Sequence, residues 1–194
     1  RIPSSAASDV YKRQDEPGEG EHKLFDYIKN NKTQHFSSST IIYGLDADLI
    51  MLAINHLPIS KKIYLFRETP EFIKSIDKTL DPNEVYIMDI PELSFHITQD
   101  MNSMNSNNIH TFKRNIRIHD YIFICFMLGN DFLPHFPSLN IRTNGISHIL
   151  NAYKNTIGHT NNFLTNGNNI NWKYFKQFIS FLANNEHDYI KKEY

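Results

Sequence analysis

Residues 41–52 read IIYGLDADLIML: an apolar β-branched run, a glycine, two aspartates one residue apart, and a second apolar run. With Thr40, the first run predicts a short buried strand over 40–45, and ADLIMLAINH (47–56) predicts the helix that follows it. A strand that feeds directly into a helix is half of a βαβ unit, so this stretch sets the fold class. Two more strands are expected, KKIYLFRE over 61–68 and VYIMDI over 85–90, the second introduced by the turn signal Asp81-Pro82-Asn83. The expectation is an α/β fold: a parallel sheet with helices, then a mainly helical C-terminal part.

Upstream, Leu24, Tyr27 and Ile28 recur at helical spacing after a Pro-Gly-Gly turn region. Downstream, QDMNSMNSNN (99–108) reads as a flexible polar insert. IRIHDYIFICFMLGNDF (116–132) predicts a long buried helix that ends at Gly129-Asn130. A Pro-rich irregular stretch, a short helix in NGISHILNAYK (144–154) and a brief hairpin at Asn166-Gly167 follow. The last helix, over 171–194, carries Trp172, Phe175, Phe178, Ile179 and Leu182 on one face, a spacing that reads as packing.

The bulk numbers exclude several classes. Of 194 residues, 40% are hydrophobic and 21% charged, and no apolar run approaches the ~20 residues of a membrane helix, so no membrane partner is expected. The single cysteine, Cys125, rules out an internal disulfide and fits a reducing, intracellular compartment, with cytoplasm and nucleus equally compatible. Its apolar neighbours in YIFICFML make it a core residue rather than a reactive thiol. Twenty basic against 21 acidic residues give no bulk signature of nucleic-acid binding, so any basic surface must be local or come from elsewhere. The stretch SSAASDVYKRQ (4–14) looks like the in-frame translation of a transposon-type sequencing adapter. Residues 1–14 are therefore set aside as non-native, and the chain is expected to be a fragment whose own N-terminal segment is missing.

The two aspartates need an explanation. Asp46 falls at the carboxyl end of the first strand, where open α/β sheets bind ligands, and Asp48 can face the same cleft. Carboxylates that close repel, and a divalent cation such as Mg²⁺ removes that cost. A helix N-cap with a solvated neighbour explains the same spacing equally well. Glu19 and Glu21 repeat the acid-x-acid pattern at another loop-to-helix junction, where dipole capping is the plain reading. Asp131 lies beside Phe132 and Leu133 at the end of an apolar helix, where Gly-Asn-Asp also reads as a turn. Five acids at three junctions could converge on one cluster of the two-metal kind that cleaves phosphodiesters.

PGEGEHK (17–23) before a helix, then YGLDADLIML (43–52), then LGNDFLPHFPSLNIR (128–142), in that order, resembles the XRN-type 5′→3′ exoribonucleases. The similarity continues through FLTNGNNINW and the last helix. The resemblance implies a partial PIN/flap-nuclease-like core over 15–98, the insert over 99–110, and a helical region over 111–194 that completes the acidic site and packs on the core. It implies that Glu19, Glu21, Asp46, Asp48 and Asp131 are catalytic and bind Mg²⁺ or Mn²⁺, two ions in the intact enzyme. Single-stranded RNA with a 5′-monophosphate would be hydrolysed to nucleoside 5′-monophosphates. His22, Lys23 and His135 lie in the matched motifs; the histidines read as hydrogen-bonding or packing groups, and Lys23 as a phosphate contact or a solvated residue. The family's upstream acids and 5′-phosphate pocket have no counterpart here, so the chain alone is expected to be inactive or nearly so.

Two rivals compete. In a haloacid-dehalogenase-like phosphatase Asp46 would be the nucleophile and Asp48 the general acid. That family usually places Thr or Val two residues after the second Asp, where this chain has Ile50, and it leaves Glu19 and Glu21 idle. A non-catalytic interaction module would use the acids only as caps.

Overall fold

Thr40–Tyr43 forms β1, with alternate side chains buried, as a strand covered on one face requires. In the computed structural model, which describes residues 18–44, 46, 48–66, 77–102, 111–130 and 133–193, β1 pairs in parallel with β2 (Ile63–Phe66) in the register Thr40↔Ile63 to Tyr43↔Phe66. With β3 (Ile87–Asp89) the sheet order is β1-β2-β3. All three expected strands are present and shorter than predicted. Leu45 and residues 67–68, which the strand expectations included, lie outside the described residues, as do residues 1–14 and 103–110.

The chain divides into two compact units, Arg1–Ile87 and Met88–Tyr194. In the first, α1 (Gly20–Asn30) and α2 (Lys32–Ser37) precede β1, and α3 (Asp48–Asn55) makes the crossover to β2. Parallel strands need such a crossover, because a tight turn can join only antiparallel ones. The core of this unit is Phe25 and Ile28 of α1, Ile42 of β1, Leu49, Ala53 and Ile54 of α3, and Ile63 and Leu65 of β2. Burial on α1 falls on Phe25 and Ile28, while Tyr27, expected on that face, is exposed. Gly44, at the end of β1, approaches α3 closely: a Cβ there would lie 2.2 Å from Leu49 Cδ1.

The second unit is helical. Helix α4 (Ile90–Met101) starts on a capping signal, Asp89 accepting a 2.9 Å hydrogen bond from Glu92 N, with Pro91 in the first turn. It runs through Gln99–Met101 into what was expected to be insert, because Met101 is fully buried in the core of this unit. Helix α5 (Thr111–Cys125) tightens into a 3₁₀ turn over Phe126–Leu128 and stops at Gly129, with φ +83°. A Cβ on Gly129 would meet His135 N at 2.8 Å, so glycine is required there twice over. Helix α6 (Gly145–Tyr153) continues as a π turn, Lys154–Gly158. The expected hairpin is a single antiparallel bridge, Thr165↔Ile170, turning at Gly167 with φ +91°. Helix α7 (Trp172–Glu193) buries Phe178, Leu182 and Tyr189 and half-buries Phe175 and Ile179. Trp172 departs from the expected packing face and stands 68% exposed. Among the described residues no helix is long and apolar enough to cross a membrane.

Candidate functional site

The β1–α3 turn carries Asp46 and Asp48. Asp46 Oδ1 accepts a 3.2 Å hydrogen bond from the N–H of Asp48, the first residue of α3, an Asx-turn contact made from two residues ahead of the helix. Asp46 thus satisfies one helix N–H through one carboxylate oxygen, although not from the N-cap position the alternative reading named. Both residues are exposed at the carboxyl end of β1, as the sheet argument requires.

Glu19 occupies the N-cap position of α1 without bonding a helix N–H through its side chain. Its carboxylate instead pairs with His22 Nδ1 at 3.2 Å on an exposed surface. Dipole capping thus accounts for Glu19 by position only. Glu21, in the first helical turn, is half-buried and holds its proton to higher pH than an ordinary carboxyl. Burial is the largest cause, followed by the charges of Asp46, Asp48 and Glu19, with His22 pulling the other way. The fold thus places the acids of two distant sequence motifs, GEGEHK and LDAD, within one electrostatic field.

The acids are hard oxygen donors of the kind Mg²⁺ and Mn²⁺ take, and their mutual repulsion is the condition a cation relieves. They suit such an ion in charge, and among the described residues no group of three His, Cys, Asp or Glu side chains that could hold a metal ion is formed. Asp131 lies outside the described residues. Its neighbours Asn130 and Leu133 exchange two hydrogen bonds, Asn130 N to Leu133 O and Leu133 N to Asn130 Oδ1, each 2.8 Å.

The other residues of these motifs are accounted for locally. His135 is exposed and its Nδ1–H donates to Phe136 O at 2.8 Å, which matches the hydrogen-bonding role expected of it. Lys23 is half-buried, and its backbone N–H donates to Glu19 O at 3.3 Å. Burial pushes the Cys125 thiol up to about 12, so it stays protonated and behaves as a core residue.

One polar centre escaped the sequence reading. Arg117 and Asp120 are both buried in α5. Arg117 donates to Asn102 Oδ1 (2.9 Å), Tyr153 Oη (2.6 Å) and the carbonyls of Asn162 (2.8 Å), Thr160 (2.6 Å) and Ile157 (3.4 Å). The last two carbonyls lie at and just past the π turn, where helical partners run out. Arg and Asp at i, i+3 are visible in the sequence, but His119 and the polar start of the same helix leave them unremarkable there.

Comparison with known proteins agrees with the motif order. A family profile described as "XRN 5'-3' exonuclease N-terminus" matches residues 6–69, beginning within the stretch set aside as non-native, and one described as "Xrn1 helical domain" matches residues 111–194. The chain is 31% identical over 211 aligned residues to a "5'-3' exoribonuclease 2" of Arabidopsis thaliana, covering 91% of this chain and 20% of that protein. It is 32% identical to a "5'-3' exoribonuclease 2" of Eremothecium gossypii, over 92% of this chain and 21% of that protein. It is 30% identical to a "5'-3' exoribonuclease 1" of Saccharomyces cerevisiae, over 90% of this chain and 12% of that protein. The chain thus spans about a fifth or less of the length of these relatives.

Proposed function

The chain belongs to the XRN family of 5′→3′ exonucleases, and on that premise we propose that it contributes the acidic half of an exoribonuclease site. The substrate is single-stranded RNA with a 5′-monophosphate, and the products are nucleoside 5′-monophosphates. Glu19, Glu21, Asp46, Asp48 and Asp131 are the residues that would hold Mg²⁺ or Mn²⁺. When bound, such ions neutralise phosphate charge and make water a better nucleophile. The chain's own part is to fix the carboxylates: the helix start orients Glu21, and the Asp48 N–H holds one oxygen of Asp46 and leaves the other open to a ligand.

The observation that carries this reading is the shared field of Glu21 with Asp46, Asp48 and Glu19. A phosphatase built on Asp46 alone gives Glu19 and Glu21 nothing to do there, and caps alone need no such convergence.

The test uses the full protein that contains this segment, 5′-end-labelled RNA and Mg²⁺. Release of nucleoside 5′-monophosphates from 5′-monophosphorylated RNA, with 5′-hydroxyl RNA resistant, is expected. Asp46→Asn is the decisive variant, because the amide oxygen can still accept from the Asp48 N–H while the charge is gone. A folded Asp46→Asn protein with undiminished activity would overturn the proposal. The 194-residue chain alone is expected to degrade RNA feebly or not at all.

A further inference from the structure

Trp172 is the single tryptophan of the chain and stands 68% exposed at the start of α7. Its ring is nevertheless supported. It meets Phe175 edge-on at 5.9 Å and 73°, and Phe175 in turn meets Phe123 of α5 at 5.3 Å. The aromatic row runs outward from the core of the second unit and ends in water at the indole.

Two lysines follow Trp172 within four residues along α7. Lys173 is the next residue, exposed, with its Nζ 5.5 Å from the Tyr174 ring centre. Lys176, also exposed, is four residues on and so lies on the same side of the helix as Trp172. Among the described residues neither lysine is ion-paired with a carboxylate. The first acid along α7 is Glu186, too far on to neutralise them. In a chain with 20 basic and 21 acidic residues, an exposed aromatic ring followed by two lysines and by no acid before Glu186 is a local departure from the average.

We propose that Trp172, Lys173 and Lys176 form a stacking platform for single-stranded RNA, the indole receiving a base and the lysines the phosphates on either side. The choice of RNA as ligand rests on the exoribonuclease reading; the platform itself rests on the exposure, the aromatic support and the charge. A rigid ring offers any base a π face, and the lysines supply attraction without base selection, so binding is sequence-tolerant. A protein partner would bury the indole too, but it would have to bring two acids to meet the lysines. The nucleic-acid backbone brings them at every residue.

Because Trp172 is the sole tryptophan, its fluorescence reports the site directly. Oligouridylate titrated into the intact chain is expected to quench the emission, with an affinity that falls steeply with salt. Trp172→Ala should weaken binding of dye-labelled RNA about tenfold, read by anisotropy. Lys173→Ala/Lys176→Ala should reduce the slope of log affinity against log salt by about 1.4. Absence of RNA binding, or RNA bound equally well by Trp172→Ala, would overturn the platform, and in the latter case the exoribonuclease reading would stand. A blue shift that grows with protein concentration in the absence of RNA would also overturn it, by assigning the indole to self-association. Quenching by RNA in this chain, with no release of 5′-nucleotides by the full protein that contains it, would sink the exoribonuclease reading and leave the platform in place.

Discussion

The hydroxyl of Tyr153 donates a hydrogen bond to the carboxylate of Asp120, in a contact fully closed to solvent. The same carboxylate accepts from Leu164 N at 2.9 Å and Thr165 N at 2.8 Å, and it lies 4.0 Å from the Arg117 guanidinium. One buried anion therefore ties α5 to α6 and to the loop leading into α7. Asp120→Asn keeps an acceptor oxygen but leaves Arg117 a buried charge with no counter-ion, at a cost of about 3–5 kcal/mol. Tyr153→Phe removes one partner from each charged group and is expected to cost about 1–3 kcal/mol. Urea midpoints at unchanged m-value read both losses. A Tyr153→Phe protein as stable as the parent would show that the network is not a source of stability.

Burial pushes the Asp120 carboxyl up to about 6 from its ordinary 3.8, against the pull of Tyr153, Leu164, Thr165 and Arg117. The folded state thus binds this proton more tightly than the unfolded chain. The associated stability is fully present below about pH 3.8 and is lost as pH rises through about 6. Asp120→Asn should flatten that part of the stability–pH curve between pH 4 and pH 6. Tyr153→Phe should move the Asp120 titration upward, because the hydroxyl donor favours the ionised form. NMR titration of the Asp120 side-chain carboxyl carbon follows the shift directly, and a downward move in Tyr153→Phe would contradict the assignment.

Gly44 directly follows β1 and stands immediately before the acidic turn. Gly44→Ala puts a methyl group 2.2 Å from Cδ1 of Leu49, which is buried and cannot swing into solvent. Overpacking of this kind costs about 1–3 kcal/mol. The cost should be smaller when Leu49 is already alanine, since the two changes share one contact. Thermal or urea unfolding of the two singles and the double closes the cycle. Equal cost of Gly44→Ala in both backgrounds would mean that the contact is not what demands glycine.

What could be read from the sequence follows from which signals are local. Strand β1 and helix α3 were legible because the switch from β-branched residues to a helical apolar pattern spans only a few positions. The start of α4 was underread, although Asp89, Pro91 and Glu92 spell a helix start, because the strand signal of VYIMDI runs into it. The exposure of Trp172 was not legible: a tryptophan in register with buried phenylalanines reads as core, and only the point where the chain enters α7 leaves it outside. Arg117 and Asp120 were passed over because their partners, Tyr153, Thr160 and Leu164, lie more than thirty residues downstream. The electrostatic meeting of Glu21 with Asp46 and Asp48 is likewise non-local. Matching motif order suggested it; spacing alone left capping and metal binding open.

That meeting has a stability consequence separate from activity. A carboxyl whose folded pKa is raised contributes favourably below its ordinary value of 4.5 and loses that contribution as pH rises through the folded value. At neutral pH, ionised Glu21 therefore works against the fold. Glu21→Gln removes the charge at nearly constant shape, so the metal-free variant should melt no lower than the parent at pH 7, and any advantage should vanish below about pH 4. Added Mn²⁺, at matched ionic strength, should reverse the order. The parent gains stability in proportion to the logarithm of ion concentration over its dissociation constant, and the variant, one carboxylate poorer, gains less. Melting curves with and without Mn²⁺ separate the outcomes. A Glu21→Gln protein that melts well below the parent without metal would make Glu21 a structural residue. Equal Mn²⁺ shifts in the two proteins would remove it from the proposed ligand set.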